Sequence, residues 1–187
     1  MQISQDLLQG CKKADRKAQY QLFRICFDTL KGVCLRYQRE ESEAMASLNM
    51  GFLKILSNLD KYRHDTPFEA WIRRIMINTL IDEFRKNRQV KELIEYRDFS
   101  DEQNTRDWAD YNEAEQALQA GQLTAMLQAL PAVSRKVFNL FAIDGYSHQE
   151  IAGMLGISEG TSKWHVSYSR KRLQEMVKES LSTSRVI

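Results

Sequence analysis

The segment GYSHQEIAGMLGISEGTSKWHVSYSRKRL, Gly145 to Leu173, decides how the chain is read. Ser147-His148-Gln149-Glu150 has the spacing of a capping box, in which the serine hydroxyl and the glutamate carboxylate each satisfy a free amide of a helix start. Ile151, Ala152 and Leu155 give that short helix an apolar face, and the small Ala152 permits a close crossing. Gly156 then ends it, because glycine tolerates the left-handed backbone of a sharp turn. Ile157 fills the corner and Ser158 caps a second helix, which sends Val166 and Leu173 inward. Two helices joined in this way form a helix-turn-helix, whose second helix can enter the major groove of duplex DNA. The expected outward positions are Lys163, His165, Ser167, Tyr168, Arg170 and Lys171, with early residues near base edges and Arg170, Lys171 and Arg172 on phosphate. A helical hairpin with a merely solvated basic face is the plainer alternative.

Upstream, almost everything has helical period. Leu7, Leu8, Cys11, Leu22, Ile25, Cys26, Val33 and Cys34 are often three or four apart, and Phe52, Ile55, Leu56 and Leu59 form another such stripe. Both prolines stand where helices can begin. Thr66-Pro67-Phe68-Glu69 predicts a capped helix from Pro67 to about Arg88. At 100° per residue, Arg74, Asn78, Asp82, Arg85 and Arg88 share one side of it, with Ile72, Met76, Leu80 and Phe84 opposite. Trp71 lies nearer the polar side, and Tyr62 and Phe68 flank the preceding loop. Rings beside cations suit single-stranded nucleic acid, since bases stack on rings while Lys and Arg follow phosphate. Filling core gaps is the commoner fate of such rings.

No hairpin pattern is present, so the fold class is all-α, in two helical domains. Net charge is +2 in 187 residues, but it is unevenly spread. Residues 1–90 hold 16 basic and 11 acidic side chains, 91–121 hold 3 and 9, and 122–187 hold 8 and 5. The segment YRDFSDEQNTRDWADYN, Tyr96 to Asn112, has too few aliphatic residues to offset its ordering entropy. The expected organisation is a domain over 1–90, a flexible acidic linker over 91–121 and the helix-turn-helix domain over 122–187. Two basic blocks with an acidic strap suit a polyanion partner, and ordinary scatter of solvated charge, which charge alone favours, is the plainer alternative.

Other classes fall away. No apolar run approaches the roughly 20 residues of a membrane span, and the start has no secretory pattern. Cys11, Cys26 and Cys34 lack paired zinc spacing and read as reduced thiols, so a cytoplasmic location is expected. His64, His148 and His165 are far apart, no Gly-rich phosphate loop exists, and most linker carboxylates have nothing to hold them. No enzyme activity, cofactor or metal is expected.

The two modules in this order resemble the extracytoplasmic-function (ECF) group of the sigma-70 family, bacterial transcription initiation factors. The resemblance is carried by FLKILSNLDKYR, TPFEAWIRRIMINTLIDEFRKNR, ALPAVSRKVFNLFAIDGYSHQEIAGMLGIS and EGTSKWHVSYSRKRL. GCKKADRKAQYQLF, near the start, is similar to the first helix of Bacteroidetes-type members. The resemblance implies a region 2 that binds core RNA polymerase and the −10 promoter element, and a region 4 that reads the −35 duplex. It implies −10 roles for Tyr62, Arg63, Trp71, Arg74, Asn78 and Arg85. By the same resemblance Ser158, Thr161, Lys163, His165, Ser167, Arg170 and Lys171 face the −35 element. Leu48, Asn49, Met50 and Phe52 fall on the polymerase-binding surface, and an anti-sigma factor and a monomeric free state are implied too.

Two departures stand out. Family members carry a motif like DALQEGF where this chain has Ala46-Ser47-Leu48-Asn49-Met50-Gly51-Phe52, so polar groups of the polymerase surface are lost. Trp164-His165-Val166-Ser167 replaces a common Ser-Arg-Leu-His, which predicts an unusual −35 preference. A stand-alone helix-turn-helix regulator without polymerase binding, and an adaptor that binds proteins through its helices, are the alternatives.

Overall fold

A computed structural model describes residues 3–87 and 120–184, which fall in two separate units. The first holds α1 (Gln5–Lys12), α2 (Arg16–Tyr37), α3 (Glu41–Ser57), a 3-10 turn (Leu59–Lys61) and α4 (Phe68–Asn87). Among the described residues there is no strand, as the sequence pattern predicts.

The long apolar stripe that begins at Leu7 is broken into α1 and α2. Asp15 caps α2 by accepting from Lys17 N–H at 2.8 Å. Just before it, Asp15 N–H donates to Gly10 O and Ala14 N–H to Cys11 O, both at 3.0 Å. That double closure needs a left-handed residue, and Ala14 supplies it at φ 59°. An alanine there gives no glycine signal, which is why the break was not legible.

Helices α2, α3 and α4 pack against one another. Their core is Leu22, Cys26, Leu30, Cys34 and Tyr37 of α2, Leu48 and Ile55 of α3, and Ile72, Met76 and Leu80 of α4, all buried. Each of the leucine, isoleucine and methionine side chains among them contributes about 1.5–3 kcal/mol of burial. Closest approach is at Gly51, where a Cβ would overlap the Met76 thioether. A polar chain crosses this core: Gln38 Nε2 donates to Ser47 Oγ (3.1 Å), which donates to Glu83 Oε2 (2.6 Å). Burial, with Glu83 second, pushes the Cys34 thiol up to about 12; burial does the same to Cys26. All three cysteines are free and buried, and thiols this hard to ionise are inert.

Helix α4 starts at Phe68, one residue later than expected, with Trp71 N–H donating to Pro67 O at 3.1 Å. The Thr66 hydroxyl donates to Asp65 (3.3 Å), and Arg73 donates through Nε and Nη2 to Glu69 Oε1.

In the second unit, α5 spans Ala120–Ala129 and α6 spans Ala132–Phe138; a π turn follows over Asn139–Ile143. Then come α7 (His148–Leu155) and α8 (Glu159–Ser184). Pro131 precedes α6, so both prolines do stand at helix starts. The core is Leu127, Leu130, Val137, Leu140, Ile151, Leu155 and Val166, while Leu173 is half-buried. The expected linker lies outside the described residues except for its last two, which open α5.

Candidate nucleic-acid interface

In the first unit, the loop before α4 and the outer face of that helix form one surface. Tyr62 stands at its centre. Its ring meets Phe68 at 5.1 Å and 88°, Trp71 at 5.2 Å and 50°, and His64 at 5.1 Å and 72°. Edge-on packing of this kind stabilises aromatic groups beyond their burial. The Tyr62 hydroxyl donates to Thr66 O at 3.0 Å, which ties the ring back to its own loop. Phe68 is buried beneath, whereas Tyr62 and Trp71 are half-buried with open area left. Arg63 is exposed and paired with Asp65 at 2.9 Å. Along α4, Arg74, Asn78 and Arg85 are exposed on the side that carries Trp71. Asp82 shares that side and pairs with Lys54 at 3.4 Å. The structure thus brings Tyr62, Arg63, Trp71, Arg74, Asn78 and Arg85 onto one loop and one helix face. Its chemistry is ring faces for bases, an amide that both donates and accepts, and cations for phosphate.

The α3 surface corrects two expected positions. Leu48 is fully buried and Phe52 nearly so, with its ring edge-on to Phe23 at 5.0 Å. They are core residues and cannot form an outer contact. Asn49 and Met50 are exposed, and with Ala46 and Leu53 they make a stripe at three- and four-residue spacing. Met50 and Leu53 are 51% and 60% exposed. Leu53 was missed because core and outer stripes alternate on one helix, both apolar.

In the second unit the helix-turn-helix forms as its caps predict. Ser147 and Glu150 make the reciprocal capping box. Gly156 is left-handed at φ 66°, and Ile157 N–H closes the turn on Ala152 O at 3.2 Å. Ser158 Oγ accepts from Thr161 N–H at 2.9 Å. This leaves Ser158 and Thr161 at the entry to α8 as its cap.

His165 is a second correction. It faces inward, 1% exposed, with Nδ1 2.9 Å from Ser134 Oγ of α6. Ser169, one turn on, donates to Ser134 O at 3.3 Å. Burial pulls the His165 pKa down to about 4, so the imidazole is neutral. It is a strut between α6 and α8 and has no path to a base edge. The exposed side of α8 instead carries Lys163, Ser167, Tyr168 and Lys171, with Trp164 and Arg170 half-exposed. Trp164 and Tyr168 stack at 5.3 Å and 15°. Arg170 lies 5.8 Å over Phe141, whose other neighbour is His148, stacked at 4.3 Å. His148 Nδ1 is 2.9 Å from Ser162 Oγ, and burial followed by Lys163 lowers its pKa.

Among the described residues, no group of three or more His, Cys, Asp or Glu could hold a metal ion, and no helix is long and apolar enough to cross a membrane.

Two stretches of the chain match known families. Residues 22–90 match the family described as Sigma-70 region 2, and residues 120–173 match Sigma-70, region 4. The ECF RNA polymerase sigma factor SigM of Mycobacterium tuberculosis is 26% identical over 175 residues, 92% of this chain and 83% of that one. ECF sigma factor SigW of Bacillus subtilis is 26% identical over 179 residues, 90% of this chain and 93% of that one. The fold is similar to the sigma factor RpoE of Bartonella quintana, solved in complex with the anti-sigma factor NepR. That likeness has a TM-score of 0.50 and 23% identity, covering 85% of this chain and 96% of that one. With region 2 in the first unit, region 4 in the second and relatives of this kind along most of its length, the chain belongs to the sigma-70 family, in its extracytoplasmic-function group.

Proposed function

We propose that the protein directs promoter-specific transcription initiation, with bacterial core RNA polymerase and promoter DNA as its partners. The observation that carries this reading is the ordered pair of surfaces: an aromatic and basic face in the region 2 unit, a basic open helix in the region 4 unit. The first suits a melted strand. Freeing a base from its stack costs a few kcal/mol, and stacking on a ring returns about 1–3 kcal/mol per base. Tyr62 and Trp71 offer the rings, Asn78 reads an edge of the freed base, and Arg63, Arg74 and Arg85 follow its backbone. The second surface suits the −35 duplex, with Lys163 and Ser167 toward the groove and Arg170 and Lys171 on phosphate. Ser158 and Thr161 fix where α8 begins.

Polymerase is held by the α3 stripe of Ala46, Asn49, Met50 and Leu53, so apolar contact replaces the polar motif usual in the family. The proposed domains are 1–90 and 122–187, with the acidic segment 91–121 as the linker between them. No covalent chemistry is involved; binding energy is directed to strand opening. The protein works in the cytoplasm as a monomer when free, with an anti-sigma factor as a further partner. The opening GCKKADRKAQYQLF supports a Bacteroidetes-type branch.

The test is genomic run-off transcription with purified protein and core polymerase, sequencing the 5′ ends. Discrete starts sharing upstream −35 and −10 elements are expected. Absence of starts together with absence of co-migration with a cognate polymerase would overturn the reading.

A further inference from the structure

The stacked rings of α8 have no role in the reading above. Counting 100° per residue from Ser162, His165, Val166 and Ser169, which are all buried, the middle of the open side carries Gly160, Trp164, Ser167 and Lys171. Trp164 therefore sits where a helix laid in a groove meets the base edges. Its ring plane is set from two directions, by Tyr168 stacked at 5.3 Å and by His165 edge-on at 4.9 Å. His165 is itself pinned to Ser134. Between Gly160 and Gln174 the helix has no acidic side chain, and Lys163, Arg170, Lys171 and Arg172 flank the rings. Gly160, one turn before Trp164, is exposed and presents no side chain to hold the groove away.

We propose that the Trp164–Tyr168 stack is a methyl reader, an apolar plate that selects a thymine by its C5 methyl group in the major groove. The proposal rests on the duplex-reading role of α8. Its physical basis is that the thymine methyl is the apolar mark among the major-groove edges, recognised by contact instead of hydrogen bonding. A rigid plate loses little freedom on making that contact, and the surrounding cations meet the phosphates on either side.

The test uses the full chain, alone and as holoenzyme with core polymerase, in selection from random duplex DNA. The selected site is then rebuilt with deoxyuridine in place of each thymine in turn, which removes only the methyl. For the wild type, uracil at one thymine or two adjacent ones is expected to weaken binding about threefold to tenfold, the range for one buried methyl. Trp164→Ala, shown to be folded by circular dichroism, should bind thymine and uracil sites equally, and Tyr168→Phe should keep the discrimination. Indifference of the wild type to every replacement would overturn the proposal, as would a folded Trp164→Ala that still discriminates. A site selected by the free chain but never by holoenzyme overturns the promoter reading alone, and the uracil series then decides the methyl reader on that site. No selected site in either form overturns both.

Discussion

The two units arrange aromatic rings in opposite ways. Around Tyr62 the rings meet edge-on or tilted, with Phe68 buried, so the cluster folds a loop onto α4 and leaves part of Tyr62 and Trp71 open. On α8 the rings lie parallel and outward on one helix, supported from beneath by a buried histidine. A cluster anchored in a loop can shape a recess for one base, whereas a pair on a straight helix makes a narrow plate. The supports differ as well. An apolar three-helix core crossed by the Gln38–Ser47–Glu83 chain backs the first, and the Ser134–His165–Ser169 seam backs the second.

The largest contrast is expected on α3. Leu48→Ala should cost the first unit about 2–5 kcal/mol in thermal or denaturant unfolding, because it opens a cavity in a closed core. Leu53→Ala should leave unfolding nearly unchanged and weaken co-migration with core polymerase.

Acid should separate the units next. The folded His165 pKa of about 4 lies below the ordinary 6.5, so the unfolded chain takes up the proton first. The seam's contribution is therefore complete above pH 6.5 and is lost as pH falls toward 4, on the order of 3 kcal/mol in full. Unfolding of the second unit, followed across that window by Trp164 fluorescence, should show the loss, and His165→Gln should flatten it.

A smaller crossover should appear in binding. Asn78→Ala and Trp71→Ala should each weaken capture of single-stranded −10 DNA by about 1–3 kcal/mol while leaving −35 duplex binding unaltered. Permanganate mapping of open promoters alongside duplex gel shifts would register the split. The least effect is a gain: Ala14→Gly relieves a left-handed alanine and should stabilise the first unit by up to about 1 kcal/mol in urea unfolding.

Local chemistry was the legible part of this molecule. Ser147, Glu150, Gly156 and Ser158 announce their turns because each acts on backbone atoms within a few residues. The outer face of α4 was equally open to reading, since its charged residues follow the helical period. The inner face of α8 was harder to recognise. Ser162, His165 and Ser169 are polar side chains on the buried stripe, and hydropathy gives no warning of a seam satisfied from another helix. Position alone would have sufficed, because their three- and four-residue spacing with Val166 marks one side of α8 and turns Trp164 to the other. On α3 the difficulty was the reverse, as Leu48 and Phe52 look the same in sequence as the exposed Met50 and Leu53.

One further consequence belongs to the π turn between α6 and α7. Its closing bond, from Asp144 N–H back across five residues to Asn139 O at 2.9 Å, accommodates one residue more than an α turn would. That residue resets the angular phase of the chain by about 100° before the Ser147 cap begins. The helix-turn-helix therefore begins at a phase set in part by that one residue, upstream of the α8 side chains proposed to meet the −35 duplex. An insertion or deletion there would leave the Ser147 and Ser158 caps intact but disturb the seat of Leu140 and the Ser134–His165–Ser169 seam, so the turn supplies the phase at which both fit at once.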